Sequence, residues 1–213
     1  MEIVWYGLSC FRLTERGLAT VVTDPYDPSV GLPPLKLKAD IVTSSNDAPS
    51  HRYLKGVKGE RRDITGPGEF EIGGVFVTGI PMGGRDGKKD AGRQNTLFVF
   101  DFDGLTVAHL GDLTQVPSQA QIEDLGAVNI ALVPVGGGDA LSPSQAAEVI
   151  SLIEPSIVIP MHFKTGQVEL KLGPVSRFLS EMGIKETEAQ PSLRVTKSNL
   201  SEETQVIVLQ PSA

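Results

Sequence analysis

Short apolar runs separated by turn residues fill the first half of the chain; longer apolar runs alternating with segments of helical period fill the second. Residues 2–6, 10–14 and 18–23 predict three strands, punctuated by Gly7 and by Glu15-Arg16-Gly17, as hairpin turns would be. Asp24-Pro25-Tyr26 closes the third, and Pro25, Pro28, Pro33 and Pro34 predict a rigid, irregular connection. Residues 39–43 predict a buried strand that runs into the polar loop Ser44 to His51. Further strands are expected over 63–66, 70–72 and 75–78, and a hairpin over 97–102 and 105–109 around Asp103-Gly104. Between them, residues 82–95 are rich in glycine and charge (Arg85, Lys88, Lys89 and Arg93) and predict a mobile loop.

The pattern changes near Pro117. Ser118 caps a short helix over 119–125. Residues 130–135 are apolar at every position, which predicts a strand buried on both faces. Gly136-Gly137-Gly138 ends it. Ser142-Pro143 then opens a helix whose apolar stripe is Ala146, Val149, Ile150 and Ile153. A second buried strand over 157–159 leads into Pro160-Met161-His162; a helix over 175–182 is closed by Gly183, and strands over 193–196 and 205–209 finish the chain. The first half therefore reads as a β-meander and the second as alternating β and α. The expected class is α/β, with two facing sheets, helices outside, a single domain over residues 1–213, and a division into halves near residues 111–117.

Composition narrows the function classes. The 213 residues are 40% hydrophobic and 21% charged, with a net charge of −7 and a pI near 5.0. That balance argues against a broad nucleic-acid face, though one cleft can still be locally basic. Cys10 has no second cysteine to pair with, which points to a reducing compartment. No basic leader precedes the first apolar run, and no run approaches the ~20 residues that span a bilayer. The expectation is a cytoplasmic protein with no membrane partner.

Candidate chemistry gathers at strand ends. His51, His109 and His162 each follow an apolar strand, and Asp112 lies three residues after His109. Imidazole and carboxylate are the ligands that suit zinc, iron and manganese. Each histidine alone has a structural reading as well, and Asp112 could equally accept hydrogen bonds from His51 and His162 in a metal-free cluster. Gly136-Gly137-Gly138-Asp139 offers either backbone donors to an anion or a plain turn. Glu69 and Glu71 alternate on a hairpin and read as an exposed face.

Seven stretches carry a resemblance: Trp5 to Phe11, Thr23 to Tyr26, Ala39 to Thr43, Gly66 to Glu71, His109 to Asp112, Val133 to Gly137 and Ile159 to Phe163. In this order they resemble the metallo-β-lactamase-fold superfamily, in the branch of L-ascorbate-6-phosphate lactonase-like proteins. The resemblance implies a four-layer αβ/βα sandwich with a dinuclear metal site at the sheet edge, and members of that branch often self-associate, so a homo-oligomer is expected. The family's H-x-H-x-D-H motif aligns with Asn46-x-Ala48-x-Ser50-His51, and its early histidine aligns with Leu8. A further ligand histidine is expected near Gly83-Gly84. On that alignment one metal position keeps no strong donor; the other keeps His51, Asp112 and His162, with Ser50 in place of an aspartate. The resemblance thus implies at most one Zn or Mn ion on His51, Asp112 and His162, with His51 and Asp112 as catalytic groups. Asn46, Ser50, Gly137 and Lys164 are the candidate substrate contacts. His109 is not a ligand on this alignment. Two functions remain open: a mononuclear hydrolase of a small ester, lactone or phosphoester, or a metal-free pseudoenzyme binding a small anionic metabolite or a protein partner.

Overall fold

The computed structural model describes residues 1–82, 94–166 and 168–212. In chain order the strands are β1 (Glu2–Gly7), β2 (Cys10–Thr14), β3 (Val21–Thr23), β4 (Leu37–Lys38), β5 (Ile41–Thr43), β6 (Val57–Lys58), β7 (Arg62–Ile64), β8 (Gly68–Ile72), β9 (Val75–Met82), β10 (Asn95–Phe102) and β11 (Leu105–His109). Helix α1 (Gln119–Glu123), β12 (Ile130–Pro134), α2 (Pro143–Ile153), β13 (Ile157–Met161), α3 (Val175–Glu181), β14 (Leu193–Arg194) and β15 (Gln205–Val206) complete the chain.

Two sheets face one another. The first has the order β14-β1-β2-β3-β5-β7 and the second β15-β13-β12-β11-β10-β9-β8. Alternation along each strand decides which side chains meet between them. Ile3, Trp5, Phe11 and Leu13 point inward, against Phe98, Phe100, Val107 and Leu132 of the second sheet, in one continuous buried core. The apolar faces of α2 (Ala146, Val149, Ile150) and α3 (Phe178, Leu179) join the same core from the far side of the second sheet. Ser118 and Ser142 both close capping boxes, with Gln121 and Gln145, and Pro143 opens α2. This is an α/β sandwich.

Four expectations need correction. The early strands are a meander through β3 and no further: β1, β2 and β3 pair antiparallel, but β5 joins β3, and β7 joins β5, in parallel. The chain changes sheets between Ile64 and Gly68, not near residues 111–117. Parallel neighbours need long crossovers, normally helical. Here residues 24–40 and 44–61 make those crossovers with extended segments, 3₁₀ turns at Pro28–Val30 and Leu54–Gly56, and the short pair β4–β6. Their side chains (Val30, Leu35, Leu37, Val57) cover the outer face of the first sheet in a second, smaller core with Val4, Tyr6, Cys10 and Tyr26. So the fourth layer is irregular where a helix layer is expected. Finally, β9 runs on to Met82 and β13 to Met161, because their neighbours β10 and β12 continue the ladder. The basic loop positions 85, 88, 89 and 93 lie outside the described residues.

Candidate metal centre

The crossovers of the first sheet and the parallel strands of the second end at one edge, and their ends carry the site. The loop after β5 supplies Ser45, Asn46, Ser50 and His51. The turn after β11 supplies Asp112, and the end of β13 supplies His162. One ligand atom from each of His51, Asp112 and His162 lies within 4.8 Å of the other two, and all three residues are buried. Nε2 of His162 is 3.6 Å from Oδ1 of Asp112. Two ligands tetrahedrally bonded to one zinc ion sit about 3.4 Å apart, given bonds near 2.1 Å. The donor chemistry and the spacing therefore fit a single divalent ion held by His51, Asp112 and His162.

They do not extend to a second ion through the loop. Ala48 has no donor atom. Asn46 spends its side chain on its own loop: Oδ1 accepts from the Ala48 N–H at 3.0 Å and Nδ2 donates to Ser45 Oγ at 3.3 Å. The expected histidine position at Gly83-Gly84 lies outside the described residues.

The two histidine rings stack, with centroids 5.1 Å apart. Ser9, on the β1–β2 turn, sits between them: its hydroxyl is 3.3 Å from His51 Nε2 and 3.3 Å from His162 Nδ1. Ser50 Oγ is 2.8 Å from His51 Nδ1. A ring that donates from Nδ1 to Ser50 turns its Nε2 lone pair toward the centre, the arrangement metal-binding imidazoles use. Asn46 and Ser50, two of the candidate substrate contacts, are thus buried and bonded within the loop, beside the triad.

His109 has a different task. Its Nε2 lies 2.9 Å from the Ser9 carbonyl, which can only accept, so Nε2 carries the proton. Its Nδ1 accepts from the Gly111 N–H at 3.2 Å. Burial pushes the imidazole pKa down to about 4, outweighing the backbone of Ser9 and of His109 itself, which raise it. His109 is therefore a neutral ring with both nitrogens bonded to the backbone.

Three further residues build the site without having been candidates. Asp24, fully buried after β3, accepts from the Ser45 N–H at 2.7 Å and from Ser45 Oγ at 2.6 Å, and its Oδ2 lies 3.9 Å from Nε2 of both His51 and His109. Asn95 accepts from the Asp112 N–H at 2.9 Å and donates to the Leu110 carbonyl at 3.0 Å, which fixes the turn that presents Asp112. That turn needs Gly111: at φ +58°, a Cβ there would run into Asn95 Oδ1 and the Ser45 side chain. Backbone strain concentrates here too. Leu8 (φ 47°), Asp24 (φ 39°) and His162 (φ 52°) all adopt the left-handed conformation that side chains avoid. Of these features, only Asp24 left a signal in the sequence, an acid at the end of an apolar strand.

Gly137 and Lys164 line a separate cavity of about 600 Å³, with Lys171 and Arg177. Gly136 connects it to the triad: the Gly136 backbone packs so closely on His162 and Phe163 that a Cβ would collide with the His162 carbonyl. Among the described residues, no carboxylate lines this cavity.

Comparison with known proteins agrees with this fold. The profile of the β-lactamase superfamily domain matches residues 2–162. A UPF0173 metal-dependent hydrolase from Methanoculleus marisnigri is 30% identical over 190 residues, covering 78% of this chain and 82% of that protein. A solved structure from Thermotoga maritima, a proposed Zn-dependent hydrolase of the metallo-β-lactamase superfamily, is 36% identical with a TM-score of 0.79, covering 98% of this chain and 99% of that one. The metallo hydrolase Igni18 from Ignicoccus hospitalis, 20% identical with a TM-score of 0.65 over 92% of this chain and 99% of that one, shares the fold. Among the described residues, no helix is long and apolar enough to cross a membrane.

Proposed function

The chain belongs to the β-lactamase superfamily, and on that premise we propose that it is a metal-dependent hydrolase working with one ion, most of the family's ligands having been lost. The observation that carries this reading is the convergence of His51, Asp112 and His162 within 4.8 Å. Its substrate is a small ester, lactone or phosphoester bearing an anionic group.

What a zinc or manganese ion supplies when bound by this triad is acidity for a water molecule and polarisation of the scissile bond. The chain's own groups do the rest. The Asp112 carboxylate would accept the proton of the attacking water, and Ser50 would orient His51 so that its Nε2 faces the ion. Ser9 keeps the two imidazoles at a fixed spacing. The anionic end of the substrate lies against Gly137 and Lys164, where Lys171 and Arg177 add charge. A cytoplasmic location fits the single, buried Cys10.

One observation favours a second reading. Ser9 and Ser50 give the ring nitrogens of His51 and His162 hydrogen-bond partners within the protein itself, so the cluster is also stable as a metal-free pocket for an anionic metabolite. Elemental analysis after dialysis against Zn²⁺ or Mn²⁺ separates the two. The hydrolase reading expects about one ion per chain, lost in His162→Ala, and turnover of a lactone or phosphoester that chelation abolishes. A stoichiometry near zero at excess metal would leave the pseudoenzyme.

A further inference from the structure

Trp5 is the only tryptophan of the chain. It is fully buried and points from β1 into the main core. Apolar contact alone asks for no more than an aromatic ring there; the indole adds a donor. Its Nε1–H donates to the carbonyl of Leu8 at 2.9 Å. The same carbonyl accepts the N–H of His162, which arrives from the second sheet, at 3.0 Å. A carbonyl oxygen has two lone pairs, so both bonds stand together. Leu8 lies in the turn between β1 and β2, outside the strand ladder, whose register breaks between Trp5 and Gly7. Trp5 also packs on Phe163, the residue after His162, with ring centres 4.9 Å apart.

Leu8 and His162 share a second property. Both hold a positive φ, 47° and 52°, which persists at a side-chain-bearing residue only where the surroundings impose it. Three contacts impose it at His162. Its N–H is tied to the Leu8 carbonyl, its own carbonyl is packed against Gly136, and its ring Nδ1 lies 3.3 Å from the hydroxyl of Ser9, the residue after Leu8. Two of the three come from the Leu8-Ser9 turn, which the indole anchors. With metal–nitrogen bonds of about 2.1 Å, a modest rotation of the main chain carries an imidazole out of range, so a ligand needs such support. We infer that Trp5 is a positioning residue of the metal centre: its N–H holds the Leu8 carbonyl where that carbonyl captures the His162 main chain, and so aims the His162 imidazole at the ion. The effect on affinity rests on the one-ion reading of the site; the hold on His162 does not depend on it.

A single tryptophan can be replaced biosynthetically by analogues without touching another position. Benzothienylalanine keeps the bicyclic shape and carries sulfur in place of the N–H; azatryptophan keeps the N–H. Zinc affinity is read by competition with a chromophoric chelator on folded protein, and exchange of the His162 amide proton by NMR on metal-free protein. Benzothienylalanine should weaken zinc by about 10–100-fold and speed exchange of the His162 amide by about tenfold. Azatryptophan should match the parent in both. A tryptophan that merely fills the core would change stability alone. A parent-like zinc affinity in the benzothienylalanine protein, an unchanged His162 amide there, or an equal loss with azatryptophan would therefore each overturn the role of Trp5. If the parent chain binds no zinc, the one-ion reading falls, and the His162 amide decides by itself: faster exchange with benzothienylalanine upholds the hold of Trp5 on His162, and unchanged exchange removes it. Trp5→Phe should follow benzothienylalanine in both readouts; should it fail to fold, the two analogues decide.

Discussion

Nε2 of His109 donates to the carbonyl of Ser9 across 2.9 Å, joining the end of β11 in one sheet to the β1–β2 turn in the other. Because the Ser9 hydroxyl sits between His51 and His162, this bond sets the depth of the whole triad. Replacing His109 by leucine keeps the volume, strands the Gly111 N–H and leaves the Ser9 carbonyl with the Thr23 hydroxyl as its donor. The expected loss in urea denaturation is about 1–3 kcal/mol. His109→Gln retains a donor toward Ser9 and should lose less than half of that.

The same ring makes stability depend on pH. Its pKa is about 4 in the fold against 6.5 when unperturbed, so below pH 6.5 the unfolded chain takes up a proton that the folded one refuses. Its contribution is complete above about pH 6.5, declines as pH falls, and is exhausted near pH 4, a total of about 3 kcal/mol. Unfolding free energies of metal-free protein between pH 4 and 8 should show this slope, and His109→Gln should remove it. An unchanged slope in that variant would assign the effect to other groups.

Gly111→Ala tests the tight turn that presents Asp112. The strain of a left-handed alanine, about 1 kcal/mol, adds to a collision with Asn95 and Ser45, for a total expected loss of about 2–4 kcal/mol. Gly126→Ala is the control: its φ is +67° with nothing within 4 Å, so strain alone should appear. Equal losses at the two positions would mean that the Asn95 contact is unimportant.

Metal binding should appear as heat stability. At a free zinc concentration 100-fold above its dissociation constant the fold gains about 2.7 kcal/mol, or roughly 5–10 °C in Tm for a chain of this size. His162→Ala and Asp112→Asn should show no shift, while Gly126→Ala should keep it. A shift that survives Asp112→Asn would move the ion elsewhere.

Much of this molecule is visible in its letters. Strict apolar runs such as 130–134 and the Asp103-Gly104 turn leave little choice of structure, and α2 announces itself through Ser142-Pro143 and its stripe of Ala146, Val149 and Ile150. The members of the triad lie 61 and 50 residues apart, so resemblance rather than spacing pointed to it. Parallel pairing of β3, β5 and β7 had no local signal, since their crossovers lack the helical period that usually betrays such a unit. Asp24 stands out as an acid at the end of an apolar strand, but with Pro25 after it the pair also suits ordinary turn chemistry; burial and the two bonds from Ser45 reveal a carboxyl group held inside. Ser9 and Asn95 are polar residues of common types, and their importance comes from partners far away in the chain.

The left-handed backbone of His162 carries a conformational cost. Glycine at φ +52° would relieve about 1 kcal/mol of strain. Glycine would also give up the hydrogen bond with Ser9 and the stack on His51. An imidazole standing there marks a position where the side chain's chemistry has outweighed the comfort of the main chain.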